Sequence, residues 1–156
     1  MESEGVKRFE EFLKGRGLNL TGQRRAIVEH VFDDQEHFTA DGLSQELRDR
    51  GIAASKATVY RTLALLLESD LLESHDFQQG FLFYEPKFGQ SHHDHLFCVS
   101  CGEIKEFQDE RIEELQERVS KKAGYKVLSH THKVFGLCPK CKGKGPRNGT
   151  AHGPRS

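Results

Sequence analysis

His92-His93-Asp94-His95-Leu96-Phe97-Cys98-Val99-Ser100-Cys101 packs three imidazoles, a carboxylate and two thiols into ten residues. A second thiol pair, Cys138-Pro139-Lys140-Cys141, follows after residues 102–137. A Cys-x-x-Cys sequence closes a tight turn that aims both sulfurs at one point. Two such pairs supply the four soft ligands of a tetrahedral zinc site. A redox pair would need a thioredoxin-like setting, and none surrounds either motif. Four cysteines in a reducing compartment also favour metal over disulfides. The expected ion ties the last strand of a small C-terminal domain to the rest of its sheet.

With the thiols engaged, the histidines need a different ion. On an extended strand alternate residues face the same way. His93 and His95 then share one face, and His92 and Asp94 share the other, so one segment can feed two separate sites. Two donors hold an ion poorly, and further donors must come from His37, Glu85, Glu106, Glu113, His130 or His132. Periodicity cannot pair these. Glu113 flanks the apolar stripe of its helix and can point inward at a strand. His130 and His132 share a face if 125–137 is extended. The bland alternative, a solvated loop with incidental histidines, fits poorly with such crowding beside a thiol pair.

Upstream, the chain reads as helical. Val6, Phe9, Phe12 and Leu13 form one stripe, closed by Gly15 and Gly17. Thr21 can cap a second helix with Ala26, Ile27, Val31 and Phe32 inward, and Thr39 a third that buries Leu43 and Leu47 and stops at Gly51. Ser55 opens a fourth, with Val59, Leu63, Leu66 and Leu67 inside. Two short apolar runs, 71–76 and 81–85, flank a Gly-containing turn and predict a β-hairpin. Three helices followed by a hairpin make a winged helix-turn-helix, with the fourth helix as the recognition helix. It offers Lys56, Thr58, Tyr60 and Arg61: Arg can read guanine bidentately, and Tyr can meet a thymine methyl or a phosphate. Arg24 and Arg25 add candidate phosphate contacts.

The domain plan is 1–86 for the winged helix, 87–91 for a hinge, 92–142 for a metal-binding domain, and 143–156 for a disordered tail rich in Gly, Lys, Pro and Arg. In the second domain we expect strands at 95–99, 103–107, Tyr125–Leu128 and Lys133–Leu137. A helix over 109–123 should start at Asp109 and face Ile112, Leu115 and Val119 inward. The fold class is α+β.

At 156 residues, 30% charged, 35% hydrophobic and net −1, the chain suits a soluble protein of one or two small domains. Residues 1–88 carry 11 Lys and Arg against 16 Asp and Glu, whereas 89–156 carry 12 against 8. Bulk charge therefore does not announce a nucleic-acid binder, and any DNA contact must come from a local basic patch. No stretch is apolar enough for a bilayer and the acidic N-terminus lacks a signal-peptide core, so the cytoplasm is expected.

Leu20-Thr21-x-Gln23-Arg24, Ala57-Thr58-Val59-Tyr60-Arg61-Thr62-Leu63, His92-His93-Asp94-His95-Leu96-x-Cys98-x-x-Cys101-Gly102 and Cys138-x-x-Cys141 stand in order across about residues 5–141. Together they resemble the ferric uptake regulator (Fur) superfamily of bacterial metal-dependent repressors. The resemblance implies a winged-helix domain hinged to an α/β dimerisation domain. It implies a regulatory metal at His37, Glu85, His95 and Glu106, with His93 as an available fifth ligand. A second site is implied at His92, Asp94, Glu113 and His130, structural zinc at Cys98, Cys101, Cys138 and Cys141, and base reading by Tyr60 and Arg61. Asn19 stands where family members often carry a basic residue for the minor groove, which leaves that contact to Lys14 or Arg16.

The nitrogen and oxygen donors suit Fe(II), with Mn(II) or Zn(II) able to substitute in vitro. The implied function is a homodimeric or tetrameric repressor of metal-uptake genes, bound to a palindromic DNA operator and with no membrane partner. Zinc-uptake and peroxide-stress regulation are the alternatives within the superfamily. A zinc-dependent hydrolase is the alternative outside it, and no His-Glu-x-x-His or similar signature supports that chemistry, so no enzymatic activity is expected.

Overall fold

The structure, a computed structural model, describes residues 3–33, 36–87 and 92–143. Residues 88–91 of the expected hinge and 144–156 of the expected tail lie outside these. The chain divides into two compact units, Met1–Gln90 and Ser91–Ser156.

The first unit runs α1 (Glu4–Gly15), α2 (Gly22–Asp33), β1 (Phe38–Thr39), α3 (Ala40–Asp49), α4 (Lys56–Glu68), β2 (Leu72–Asp76) and β3 (Leu82–Pro86). Side-chain oxygens satisfy amides that the helices leave open at their starts. Ser3 accepts from the Val6 amide, Thr39 from Gly42 and Ser55 from Thr58. Thr21 accepts from the Arg24 amide at 3.3 Å. The far end of α4 closes by reverse turning: the amides of Asp70 and Leu71 donate to the carbonyls of Leu67 and Leu66. Asp70 holds the left-handed position there at φ +58°, a place more often given to glycine. That turn delivers the chain straight into β2.

Val6, Phe9 and Leu13 of α1, Ile27, Val28 and Val31 of α2, Leu43 and Leu47 of α3, and Val59, Leu63 and Leu66 of α4 form one buried core. Because Val59, Leu63 and Leu66 face inward, the opposite side of α4 stays in solvent, with Lys56, Ala57, Tyr60, Arg61 and Ala64 exposed along it. β1, β3 and β2 form an antiparallel sheet in that order, whose β2–β3 hairpin is the wing.

The second unit holds β4 (Asp94–Cys98), β5 (Ile104–Phe107), α5 (Glu110–Lys122) and β6 (Lys133–Gly136). Its sheet runs β5-β4-β6, with β4 antiparallel to β5 and parallel to β6. Asp109 caps α5. Hydrogen bonds from the Arg111 side chain and amide hold the Asp109 carboxyl down at about 2.

The structure departs from two expectations. Tyr125–Leu128 is not a strand; its backbone joins no ladder among the described residues, and Tyr125 and Leu128 are 77% and 88% exposed. Strand propensity without a partner edge does not make a sheet. Leu115 and Val119 of α5 do not face inward either, being 52% and 59% exposed, and α5 buries no residue within this chain. No described helix is long and apolar enough to cross a membrane.

Candidate metal centres and nucleic-acid interface

The four sulfurs of Cys98, Cys101, Cys138 and Cys141 lie within 4.8 Å of one another. Each pair is gathered by a tight turn: the Gly102 amide donates to the Cys98 carbonyl and the Cys141 amide to that of Cys138, both at 2.8 Å. The parallel β4–β6 register sets Cys98 opposite Gly136, two residues before Cys138, and so brings the two turns together. Cys101 Sγ and Cys138 Sγ are 3.7 Å apart, close to the ~3.8 Å edge of a tetrahedron with metal–sulfur bonds of about 2.3 Å. The Cys138 amide donates to Cys98 Sγ at 3.3 Å and pulls the Cys98 thiol down to about 6. Burial pushes Cys138 the other way. Four sulfurs gathered at one point are a donor set that fits zinc.

β4 alternates as expected. Asp94 and His92 meet on one face, where His92 Nε2 is 3.5 Å from Asp94 Oδ1. His130 and Glu113 complete the group: His130 Nε2 is 3.3 Å from Glu113 Oε1 and only 2.6 Å from His92 Nε2. The donor atoms of His92, Asp94, Glu113 and His130 all fall within 4.8 Å of one another. Asp94 is 1% exposed, and neither carboxylate oxygen has a hydrogen-bond partner among the described residues. Burying a carboxylate this way is costly unless positive charge compensates it, so this cluster fits a divalent cation.

On the other face of β4, the rings of His93 and His95 are 5.0 Å apart. Antiparallel pairing sets Glu106 opposite His95, and His93 Nε2 is 3.7 Å from Glu106 Oε1. In the first unit, His37 Nε2 lies 3.1 Å from Glu85 Oε2 in a nearly buried pair. Sequence reasoning missed a third member. His75 Nε2 is 2.9 Å from the same Glu85 oxygen, and its ring is 5.8 Å from that of His37. On the paired β2 and β3, Glu73 stands opposite Glu85, and His75 is two residues along on the same face.

The exposed side of α4 carries a small network. Asp41 Oδ1, on α3, takes Lys56 Nζ at 2.8 Å and the Tyr60 hydroxyl at 3.1 Å. The Lys56 hydrogen bond holds the Asp41 carboxyl below the usual carboxylate range. Of the other basic candidates, Arg24 donates to the Asn19 carbonyl at 2.8 Å. Arg25 is 3.9 Å from Glu10, and Lys14 pairs with Glu10 at 3.1 Å. Arg16 is engaged with Glu68 and stacked over Phe12.

Residues 15–135 match the ferric uptake regulator family. A ferric uptake regulation protein of Neisseria meningitidis serogroup B is 36% identical over 137 residues, covering 86% of this chain and 94% of that protein. The Helicobacter pylori regulator Fur, whose structure is described as revealing three functional metal binding sites, superposes with a TM-score of 0.82 at 29% identity, over 90% of this chain and 93% of that one. The Francisella tularensis regulator solved with iron gives 0.74 at 27% identity, over 80% and 95%.

Proposed function

The chain belongs to the ferric uptake regulator family, and from that membership we propose that it is a cytoplasmic, Fe(II)-responsive transcriptional repressor acting as a homodimer on a palindromic operator. The observation that carries this reading is the donor chemistry. Each unit gathers its own nitrogen and oxygen donors, His37 and Glu85 in one and His93, His95 and Glu106 in the other. We assign these to one regulatory site. They are hard to intermediate ligands, suited to Fe(II) and Mn(II), while all four cysteines form a separate soft cluster that we assign to structural zinc. His92, Asp94, Glu113 and His130 make the third assigned site, in line with the three described for the Helicobacter protein.

Residues 1–86 then serve as the DNA-binding domain, 92–142 as the dimerisation domain, and 87–91 as the hinge between them. Shared by donors from both domains, a divalent cation supplies a link that favours one spacing of the two recognition helices in the dimer. The chain's own residues do the rest. Arg61 and Tyr60 reach base edges from the exposed side of α4, and Lys56, Thr58, Arg24 and Arg25 meet phosphates. Asp41 fixes the Tyr60 hydroxyl and the Lys56 ammonium in place between them. The apolar face of α5 and the neighbouring Tyr125–Leu128 segment form the surface that a second copy covers, which accounts for their exposure in one chain.

Three measurements check this. Fluorescence anisotropy on operator DNA should show tight binding with Fe(II) or Mn(II) and weak binding with chelator; affinity unchanged by chelation overturns the reading. Arg61→Ala should cost about 1–3 kcal/mol on the operator and little on random DNA, whereas Lys56→Ala should weaken both and lower the salt slope by about one. Replacing Leu115 with Glu and Val119 with Lys together should convert the dimer to a monomer in sedimentation with its zinc content retained. A doubly substituted chain that stays dimeric removes α5 from the interface.

A further inference from the structure

His132 stands outside the four-donor group of His92, Asp94, Glu113 and His130, yet it is the residue that faces the free side of the buried carboxylate. Its Nδ1 lies 3.4 Å from Asp94 Oδ2, whereas the His92 and His130 nitrogens approach Oδ1, at 3.5 and 4.0 Å. The two oxygens of Asp94 therefore have different neighbours. His132 Nδ1 is itself buried and, like both Asp94 oxygens, makes no hydrogen bond among the described residues.

The sheet fixes this arrangement. β4 and β6 pair in parallel with His95 opposite Lys133, so His132 lies beside Asp94 one step earlier. On the other side of β4, Phe107 of β5 stands opposite Asp94. Its ring packs edge-on against His132 at 5.7 Å. The His132 carbonyl accepts from the His95 amide at 3.2 Å, so the backbone is anchored whatever side chain stands there. Phe107, Asp94 and His132 form one row across the sheet, with the apolar ring limiting where the imidazole can turn.

We propose that His132 is a positioning residue for the second cation site: it closes on Asp94 Oδ2 and thereby presents Oδ1 alone to the ion. This rests on reading that group as a cation site. Asp94 then binds through one oxygen, and the site keeps two nitrogens and two oxygens from four residues. An outer imidazole that closes on the far oxygen as the ion binds fixes which oxygen the ion meets, and losing such a partner typically lowers affinity about 10–100-fold.

The test titrates Co(II) into the zinc-loaded full-length protein, following the hyperfine-shifted imidazole resonances of His92 and His130 and the visible absorption of the ion. His132→Ala should weaken binding at these resonances about 10–100-fold. Its saturated spectrum should keep the wild-type band positions, because no ligand is lost. His132→Asn, whose side-chain amide can donate to Oδ2, should recover most of the affinity. Unchanged affinity in His132→Ala overturns the proposal, as does an Asn variant no better than Ala. A spectrum in His132→Ala that signals one ligand fewer also overturns it, since His132 would then be a ligand. If the wild type shows no shifted His92 and His130 signals, the cation-site reading itself fails, and the role of His132 falls with it. That outcome is distinct from normal wild-type binding with an indifferent His132→Ala.

Discussion

Cys98→Ser is expected to release one equivalent of zinc and unfold the second unit while leaving the first intact. The reason lies in what each unit buries. The first has a continuous core running from Val6 to Tyr84. In the second, the buried apolar residues among those described are Phe97, Cys98 and Cys141, and two of these three are members of the sulfur cluster. A three-stranded sheet with one buried aromatic cannot offset the entropy of ordering some fifty residues.

Zinc held by four cysteines can, since apparent binding free energies in small structural sites run to about 10–16 kcal/mol at neutral pH. Cys98 is the member to change because its sulfur accepts the Cys138 amide and so joins the two turns directly. Far-ultraviolet circular dichroism, zinc release to a chromogenic chelator and sedimentation together check this. The expected result is loss of dimer and loss of about one zinc, with the helical signal of the first unit retained. A zinc-depleted Cys98→Ser protein that remains a folded dimer would show that the cluster does not hold the unit together. Acid should act in the same direction. Protons compete with the ion for all four sulfurs, so zinc retention should fall as pH drops.

Most of the first unit was legible because its signals are local. Ser55 before the α4 stripe and Thr39 before α3 predicted caps that the structure contains. The alternation of His92 and Asp94 against His93 and His95 followed from the two-residue period of a strand, and Phe107 and Glu106 fell opposite as β5 requires. What the sequence could not reveal is who covers a face. The stripe Ile112, Leu115, Val119 correctly marks an apolar side of α5, yet periodicity is silent on whether the cover comes from the same chain or another. The Tyr125–Leu128 segment failed for the same reason, since a strand exists only with its partner. His75 and Asp41 were missed because nothing adjacent marks them. His75 sits between Ser74 and Asp76 as an ordinary hairpin residue, and only the β2–β3 pairing carries it to Glu85. Asp41 is one acid among many until α3 packs beside α4.

His37→Ala and His95→Ala should each abolish the metal response of operator binding, and together they should do no more harm than either alone. Coupling between an effector and a second ligand is typically about 1–3 kcal/mol, a change in affinity of roughly 5–150-fold. In the wild type that factor should separate metal-loaded from chelated protein. In either variant it should fall to about one, with the four-cysteine zinc and the dimer unchanged. The double variant discriminates further. If His37 in one unit and His95 in the other serve a single ion, removing the first already breaks the link, and the second removal has nothing left to break. Independent sites would instead give additive losses.

Linkage supplies a reciprocal check that does not depend on any substitution: operator DNA must tighten metal binding by the same factor by which metal tightens operator binding. Glu85→Gln offers a graded version. It keeps the shape and a carbonyl donor but removes the charge that both His37 and His75 face in the structure. The metal concentration for half-maximal operator binding should therefore rise while the maximal affinity is preserved. Full metal response in His37→Ala, additive losses in the double variant, or DNA without effect on metal affinity would each show that the two sets of donors do not share an ion.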